Sequence, residues 1–502
     1  MEKEYIVTID QSTAGSKVLI IDRHGHIVAR TSLQHQQYYP QSDWVEHDAE
    51  EIYANVQRCM LEALAISQLD PSQLAAVSIT NQRETALMWD AETGKPIAPA
   101  IVWQCQRTAS ICQQLKQAGH EPMVKQKTGL MLDPYFSATK WQWLLQQNAD
   151  LLERAKQGKI KIGTMDSWLI WKLTGGQVHA TDMTNASRTL LFNIYNQQWD
   201  AELLQLFAIP HQMLPEVKAS DACFGYTSDS SLFAERIPIV GVIGDSQAAL
   251  FAQQCTKPGM AKATYGTGTS VMMNIGSQMP DPSANTSSNG LVTTIAWSAQ
   301  GTTNYALEAV IRSSGDTIVW LREKLGLFET YEQLETALQS EEARHSEVFL
   351  VPAFHGLAAP YWQPDARAAI IGLERSSGRT DIIAAAVKSI ALQISDAVQL
   401  LETESGIPLT ELRTDGGASS NKWLMQYQAD LLGRDVLKAK HEELSAIGAA
   451  LMAGASVNIW ADASEVFQGE AYYAKYVPVM EESQRLHIKA GWQAAIQAVL
   501  KQ

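Results

Sequence analysis

The sequence predicts a two-domain α/β protein. Three observations point there: a length of 502 residues, apolar strand-like runs alternating with helical periodicity, and a strand–turn–strand pattern that recurs in each half. A chain this long exceeds what one hydrophobic core organises, so two domains, three at most, are expected. Hydrophobic residues make up 46% of it, enough to fill such cores without disulfide or metal staples.

The elements follow in order. Residues 5–10 read as a strand, 11–16 as a turn and 17–22 as a second strand, with a polar turn at 23–26 and an apolar segment at 27–29. Residues 50–66 have helical periodicity. Residues 75–80 are strand-like and run into the polar cluster Asn81-Gln82-Arg83-Glu84, and 144–155 predict one helix. In the second half, 237–244 form a buried strand that ends at Asp245, and 246–254 a helix. Residues 261–275 repeat the strand, Gly/Thr turn and strand. A long amphipathic helix is expected at 381–402. The strand 411–415 then enters the turn 416–421, with a helix after it. No low-complexity linker interrupts the chain, so the boundary is placed at 249/250, inside tightly joined domains.

Composition excludes several classes. A net charge of −15 argues against nucleic acid or an anionic membrane as partner. It does not exclude a phosphate ligand, because phosphate sites are built locally from backbone N–H groups. The five cysteines, Cys59, Cys105, Cys112, Cys223 and Cys255, are scattered and form no CxxC, which predicts neither disulfide framework nor zinc site. The acidic start Met1-Glu-Lys-Glu-Tyr5 is no signal peptide, and no apolar run is long enough to cross a bilayer, so a cytoplasmic protein is expected.

The Gly/Thr/Ser turns carry the first chemical signal. Without bulky side chains, their N–H groups and hydroxyls can approach a phosphate chain closely. One such turn is more often plain punctuation. Two of them, one per half, can hold a triphosphate from both sides of a cleft, and a third follows Asp415. Neither GxxxxGK[ST] nor a GxGxxG at a strand-to-helix turn is present, which excludes a P-loop and argues against a dinucleotide fold. Asp10 ends its strand just before the first turn, where a carboxylate can hold Mg²⁺ directly or through water; a turn-forming Asp is an equal reading. Asp245 stands at the mouth of a buried strand, where a carboxylate needs a partner or a function. It can accept the proton of an attacking hydroxyl. Arg83 and Glu84 offer donors and acceptors together, as polyol hydroxyls require, although a surface ion pair fits equally. Trp103 and Tyr135 are either core or stacking surfaces for a carbon skeleton.

Seven strings are more specific: Trp44-Val-Glu-His-Asp48, Thr80-Asn-Gln-Arg-Glu-Thr85, Ile101-Val-Trp-Gln-Cys105, Gly129-Leu-Met-Leu-Asp-Pro-Tyr-Phe-Ser-Ala-Thr-Lys140, Thr181-Asp-Met-Thr-Asn-Ala-Ser-Arg188, Thr264-Tyr-Gly-Thr-Gly268 and Asp415-Gly-Gly417. In this order they resemble the glycerol kinase branch of the FGGY carbohydrate kinases, through nearly the whole chain. The resemblance implies two actin-like, ribonuclease H-like domains with the active-site cleft between them. Residues 1–249 would form the polyol or sugar side and 250–502 the nucleotide side. It implies ATP and Mg²⁺ as cofactors, a small polyol or sugar as phosphoryl acceptor, and a homodimer. By motif, Arg83, Glu84, Trp103, Tyr135, Asp245, Ser246 and Ser270 fall in the substrate pocket, with Asp245 as base. Asp10 and Asp245 would serve the metal, Thr13 and Lys17 the outer phosphates, and Thr267, Gly268, Gly315, Gly417 and Asn421 the nucleotide.

The departures from the family pattern also predict something. The first hairpin reads Asp10-Gln-Ser-Thr-Ala-Gly-Ser-Lys17, with lysine where the pattern has arginine, which keeps the charge and loses the planar fork. Val319 stands where a nucleotide-side glutamine is usual. Ser246 and Ser270 replace glutamine and phenylalanine, which predicts a roomier, more polar pocket fit for a polyol or ketose longer than glycerol. Residues 231–236 keep Arg236 but lack the glycines of an effector loop, so control by a sugar bisphosphate is not expected. The competing readings are a pentulose or pentitol kinase and, outside enzymes, an actin-like ATP-binding regulator or pseudokinase. The Asn81–Glu84 string favours the glycerol branch.

Overall fold

Two mixed β-sheets of the same design, each covered by helices, organise the chain. The computed structural model describes residues 3–228, 232–233, 235–279, 289–363, 365–460, 466 and 473–501. Ser231 and Ala234 of the stretch 231–236, for which no effector control is expected, lie outside them.

The first sheet runs, from one edge, Cys223–Tyr226, Pro238–Gly244, Leu74–Asn81, Tyr5–Gln11, Gly15–Asp22 and Ile27–Gln34. Tyr5–Gln11, Gly15–Asp22 and Ile27–Gln34 form an antiparallel meander; Leu74–Asn81 and Pro238–Gly244 extend it in parallel. The second sheet repeats the order with Thr302–Ile311, Thr269–Gly276, Met260–Tyr265, Glu411–Asp415, Val436–Ala439 and Tyr473–Tyr476, and adds Val292–Ala299 at one edge. Its Met260–Tyr265, Glu411–Asp415 and Val436–Ala439 strands are likewise parallel. The weak hairpin repeat in the sequence is thus the trace of a repeated sheet.

Coverage on both faces explains the strand composition. All eight residues of Leu74–Asn81 are buried, as a parallel strand between two helical layers requires. The edge strand Ile27–Gln34 keeps several side chains exposed. One face is covered by the helix Ala49–Ser67, whose N-cap Asp48 accepts from the Glu50 and Glu51 N–H groups. The other face is covered by Leu444–Ser456, a helix rich in small apolar residues that lies C-terminal in sequence yet packs on Tyr5–Gln11, Leu74–Asn81 and Pro238–Gly244. The 27-residue helix Arg379–Ser405 runs through the core beside the second sheet.

The structure corrects one helix. Residues 144–155 are split between Ala138–Gln146 and Ala149–Lys156. Asn148 is extended (φ −151°) and its side chain accepts from the Asp150 N–H, so it caps the second helix instead of continuing the first.

Strand register assembles the site. Gln11 pairs with Asn81, and Asn81 with Gly244, so Asp10, Arg83, Glu84 and Asp245 emerge at one edge, the carboxyl ends of parallel strands. In the second sheet Thr264 pairs with both Asp415 and Ser270. No helix among the described residues is long and apolar enough to cross a membrane, and all five cysteines are free.

At Gly241 the helix Leu444–Ser456 lies close against the sheet. This glycine has φ +74°, and a Cβ there would lie 2.6 Å from the Ala453 nitrogen and 2.7 Å from the Ala449 oxygen. Gly241→Ala must therefore push Leu444–Ser456 off the strand that leads to Asp245. Thermal denaturation is expected to show a Tm lowered by about 5 °C or more; an unchanged Tm would show that the helix yields freely.

Candidate active site

Where the two sheets meet, a buried charge cluster joins them. Arg83 Nε lies 3.2 Å from Asp245 Oδ1 and 3.8 Å from Glu84 Oε1. Its Nη1 donates to Gln247 Oε1 at 3.1 Å, and Nη2 stands 3.2 Å from Glu308 Oε1. Arg188 donates from Nε to Glu84 Oε1 at 2.6 Å and pairs with Glu308 Oε2 at 2.9 Å. Arg83, Glu84, Arg188 and Glu308 are all buried, and Glu308 comes from the second sheet while the others flank the first. Burial pushes the Glu308 carboxyl up, but the Arg83 and Arg188 guanidiniums outweigh it and hold it well below the usual carboxylate range. For Glu84 burial prevails over the same two cations and its carboxyl is raised.

Asp245 is the open member of this cluster, with 38% of its side chain exposed. Its Oδ1 also accepts from the Ser246 N–H at 2.6 Å, and its carbonyl accepts from Ser445 Oγ at 3.0 Å. Ser270, half-buried, donates from Oγ to Glu308 Oε1 at 2.9 Å. Trp103 and Tyr135 form the adjoining wall, their rings 5.4 Å apart at 60°. Burial, with the Glu84 carboxylate beside it, pushes the Tyr135 hydroxyl well up, so it remains a proton donor.

Glu84 adopts φ +61°, a left-handed conformation that costs a non-glycine residue about 1–3 kcal/mol. Its carbonyl accepts from Ser137 Oγ at 3.0 Å and Lys140 Nζ at 3.4 Å. The same ammonium donates to the Tyr135 carbonyl at 2.6 Å and the Phe136 carbonyl at 3.2 Å. One buried lysine therefore clamps the Arg83-Glu84 loop to the aromatic wall.

At the first hairpin, Asp10 is 6% exposed and its nearest cation, Lys17 Nζ, is 4.0 Å away. Burial, opposed by Lys17 and assisted by Glu443 and Asp245, pushes its carboxyl up to about 7. A buried carboxylate so short of counter-charge fits a hydrated Mg²⁺. Among the described residues no group of three or more His, Cys, Asp or Glu could enclose a metal, so phosphate oxygens and water would complete its shell. Lys17 does not extend freely toward that space: its ammonium sits 2.8 Å from Glu443 Oε2, and Arg30 holds the other Glu443 oxygen at 2.5 Å. Thr13 Oγ1 accepts from Trp103 Nε1 at 2.9 Å, which ties the first hairpin to the aromatic wall.

On the second domain, Thr267, Gly315, Gly417 and Asn421 line a cavity of about 670 Å³, together with Val319 and Tyr331. The walls are backbone brought close. A Cβ on Gly315 would lie 2.5 Å from the Gly266 oxygen, and just behind the lining residue Gly417 a Cβ on Gly416, at φ +87°, would lie 2.5 Å from the Tyr265 oxygen. Gly268 is not part of this lining. It lets the turn close on the next strand, since a Cβ there would run into the Ile311 carbonyl. Asn421 caps the helix Lys422–Leu432 by accepting from the Leu424 N–H at 2.9 Å. A separate cavity of about 830 Å³, with Tyr38, Pro40, Lys95 and Lys172 among its walls, holds none of the predicted residues.

A cavity on the second sheet and a carboxylate–guanidinium cluster at its junction with the first thus frame the candidate site. The sequence matches the N-terminal domain of the FGGY family of carbohydrate kinases over residues 5–252 and the C-terminal domain over residues 261–457. The chain belongs to the FGGY family of carbohydrate kinases. Glycerol kinase 1 of Thermotoga maritima is 47% identical over 496 residues, 99% of each chain. The glycerol kinase of Shewanella amazonensis is 46% identical over 500 residues, 100% of each. The glycerol kinase of Plasmodium falciparum, solved with ADP, superposes with a TM-score of 0.93 at 34% identity over 100% of this chain and 99% of that one. A xylulose kinase of Lactobacillus acidophilus shares the fold, with a TM-score of 0.86 over 98% of this chain and 97% of that one, at 20% identity.

This FGGY kinase is an ATP-dependent phosphotransferase for a small sugar or polyol. Its sequence hides several residues that build the site. Glu308 is a lone carboxylate in the apolar run Tyr305-Ala-Leu-Glu-Ala-Val310, the same signal that singled out Asp245. Arg188 and Lys140 lie at the ends of two quoted strings, but nothing local shows that they turn inward. Glu443 gives no signal, because its partner Lys17 is 426 residues away.

The Lys140 clamp has a pH signature. Burial pushes this ammonium from its ordinary 10.5 down to about 8. Between those values the unfolded chain binds more protons, so stability rises with pH while the clamp loses a donor and its charge. The kcat/KM for the acceptor is expected to fall as pH rises through about 8 without a matching fall in Tm, and Lys140→Met should lack that alkaline limb. An alkaline limb retained in Lys140→Met would assign it elsewhere.

Proposed function

We propose that this kinase transfers the γ-phosphoryl group of MgATP to a primary hydroxyl of glycerol, with Asp245 as general base. The observation that carries the reading is the Arg83–Asp245 pair, 3.2 Å apart, on the open side of the buried cluster. It fits the name carried by full-length relatives at 46–47% identity. Arg83 and Glu84 offer donor and acceptor to neighbouring hydroxyls, and Trp103 and Tyr135 a surface for the carbon chain. Asp245 can orient the attacking hydroxyl and accept its proton. Asp10 is the group that would hold Mg²⁺, which supplies charge neutralisation on the phosphates. Lys17 can exchange Glu443 for a phosphate oxygen. Phosphoryl transfer has a loose transition state, so alignment and charge carry most of the catalysis. We assign the cytoplasm as compartment and a homodimer as assembly within the same proposal.

Asp245→Asn keeps the shape of the side chain and removes the base. Turnover is expected to fall by about 10²–10⁴, with affinity for the ATP analogue AMP-PNP unchanged by calorimetry. Undiminished turnover would exclude Asp245 as base.

A second reading concerns chain length. Ser270 donates its hydroxyl hydrogen bond to Glu308, so its lone pairs are left to accept from a substrate hydroxyl. That favours an acceptor with one more hydroxyl than glycerol. Initial rates with glycerol, erythritol, threitol, pentitols and pentuloses decide between the two. Glycerol leading in kcat/KM supports the first reading; a four-carbon polyol leading, with the advantage lost in Ser270→Ala, supports the second.

A further inference from the structure

His47 belongs to none of the groups that meet substrate, yet it closes a ring of hydrogen bonds between the two substrate sites. Thr13 is the starting point. Its carbonyl accepts from Gln37 Nε2 at 2.8 Å. Since that amide nitrogen donates, Gln37 presents Oε1 to His47 Nε2 at 2.7 Å, and His47 must carry its proton on Nε2. The bare Nδ1 then accepts from Gln82 Nε2 at 3.3 Å. Gln82 Oε1 accepts from Thr85 Oγ1 at 2.9 Å, and Thr85 Oγ1 accepts from the Trp103 backbone N–H at 3.4 Å. Trp103 Nε1 returns to Thr13 Oγ1 at 2.9 Å. Donor and acceptor directions agree at every step.

The ring has one consistent protonation state. His47 is fully buried, with the His35 ring 4.5 Å away edge-on. Burial, with His35 beside it, pushes the imidazole down to about 3, so it is neutral at neutral pH. A second ring proton would face the Gln82 amide N–H. Gln82 also donates to Gln11 Oε1 at 3.0 Å and, through its backbone N–H, to the Gln11 carbonyl at 2.7 Å. Both amide protons of Gln82 are therefore committed, one to the first hairpin and one to His47.

We propose that His47 is a positioning residue that sets the phosphate hairpin and the acceptor loop in one register, so that a nucleotide at the hairpin orders the acceptor site before the acceptor arrives. The assignment of the hairpin to phosphate and of the 82–85 loop to acceptor rests on the function proposed above. Because Thr13 and Trp103 touch each other directly, a shift of the hairpin reaches the aromatic wall along both arms of the ring.

The test needs only the nucleotide. Amide hydrogen exchange of segments 82–85 and 101–105 is measured in the full-length wild type, His47→Phe and Gln37→Glu, with and without AMP-PNP and Mg²⁺. Gln37→Glu still accepts from His47 but cannot donate to the Thr13 carbonyl, and Gln37 is only half-buried, so this variant folds even where His47→Phe does not. AMP-PNP is expected to slow exchange in both segments by about fivefold or more in the wild type and to leave them unchanged in the variants. A general loss of packing would instead speed exchange equally with and without nucleotide. Wild-type segments that ignore the nucleotide, or variants that respond like the wild type, overturn the proposal. If the nucleotide response is present but glycerol is not phosphorylated, the coupling stands and the substrate assignment falls.

Discussion

The arrangement of the active site depends on one buried interaction: two guanidiniums, Arg83 and Arg188, shared between two carboxylates, Glu84 and Glu308. Taking such charges out of water is expensive, and removing a single partner of a buried pair costs about 3–5 kcal/mol. What the quartet provides is direction. With Glu308 anchoring one side of Arg83 and Gln247 another, Nε is left facing Asp245, the least buried member of the cluster and the group proposed as base. Glu308 comes from the second sheet, so the same interaction ties the Arg83–Asp245 site to the domain that carries the cavity proposed for the nucleotide.

Strain and its support are separate in sequence and adjacent in space. Glu84 is held in a left-handed conformation by hydroxyl and ammonium donors from the segment that also carries Tyr135. The strained residue, its clamp and the aromatic wall are joined by these hydrogen bonds. Lys17 is the contrast: its ammonium is parked on Glu443, a group at the start of a distant helix, and the proposed phosphate contact requires it to change partners.

Much of this was legible from the chain. The strands around Asp10, Asp245 and Asp415 follow from apolar runs that end in carboxylates, and the two hairpins from small-residue turns. The family strings carried the actin-like reading, and the full-length relatives agree with it. What stayed hidden are partners defined by long-range contact. Glu308 stands out as a lone carboxylate in an apolar run, but its partners emerge only when Arg83 and Arg188 are placed against it, and His47 looks like any histidine until its tautomer is fixed by Gln37. Ser270 read from sequence as an opened wall; in space its hydroxyl is already committed to Glu308. The helix break at Asn148 is local, and an Asn ahead of Ala149-Asp150 was a readable cap.

The helix Leu444–Ser456 has a consequence for biosynthesis. It supplies one face of the sheet that starts at Tyr5 and carries the strand ending before Asp245, yet a ribosome delivers it more than 400 residues after that sheet's first strand. Until then the buried strands Tyr5–Gln11, Leu74–Asn81 and Pro238–Gly244 have an apolar surface without its cover. The amino-terminal sheet therefore acquires its full cover only when nearly the whole chain has been made.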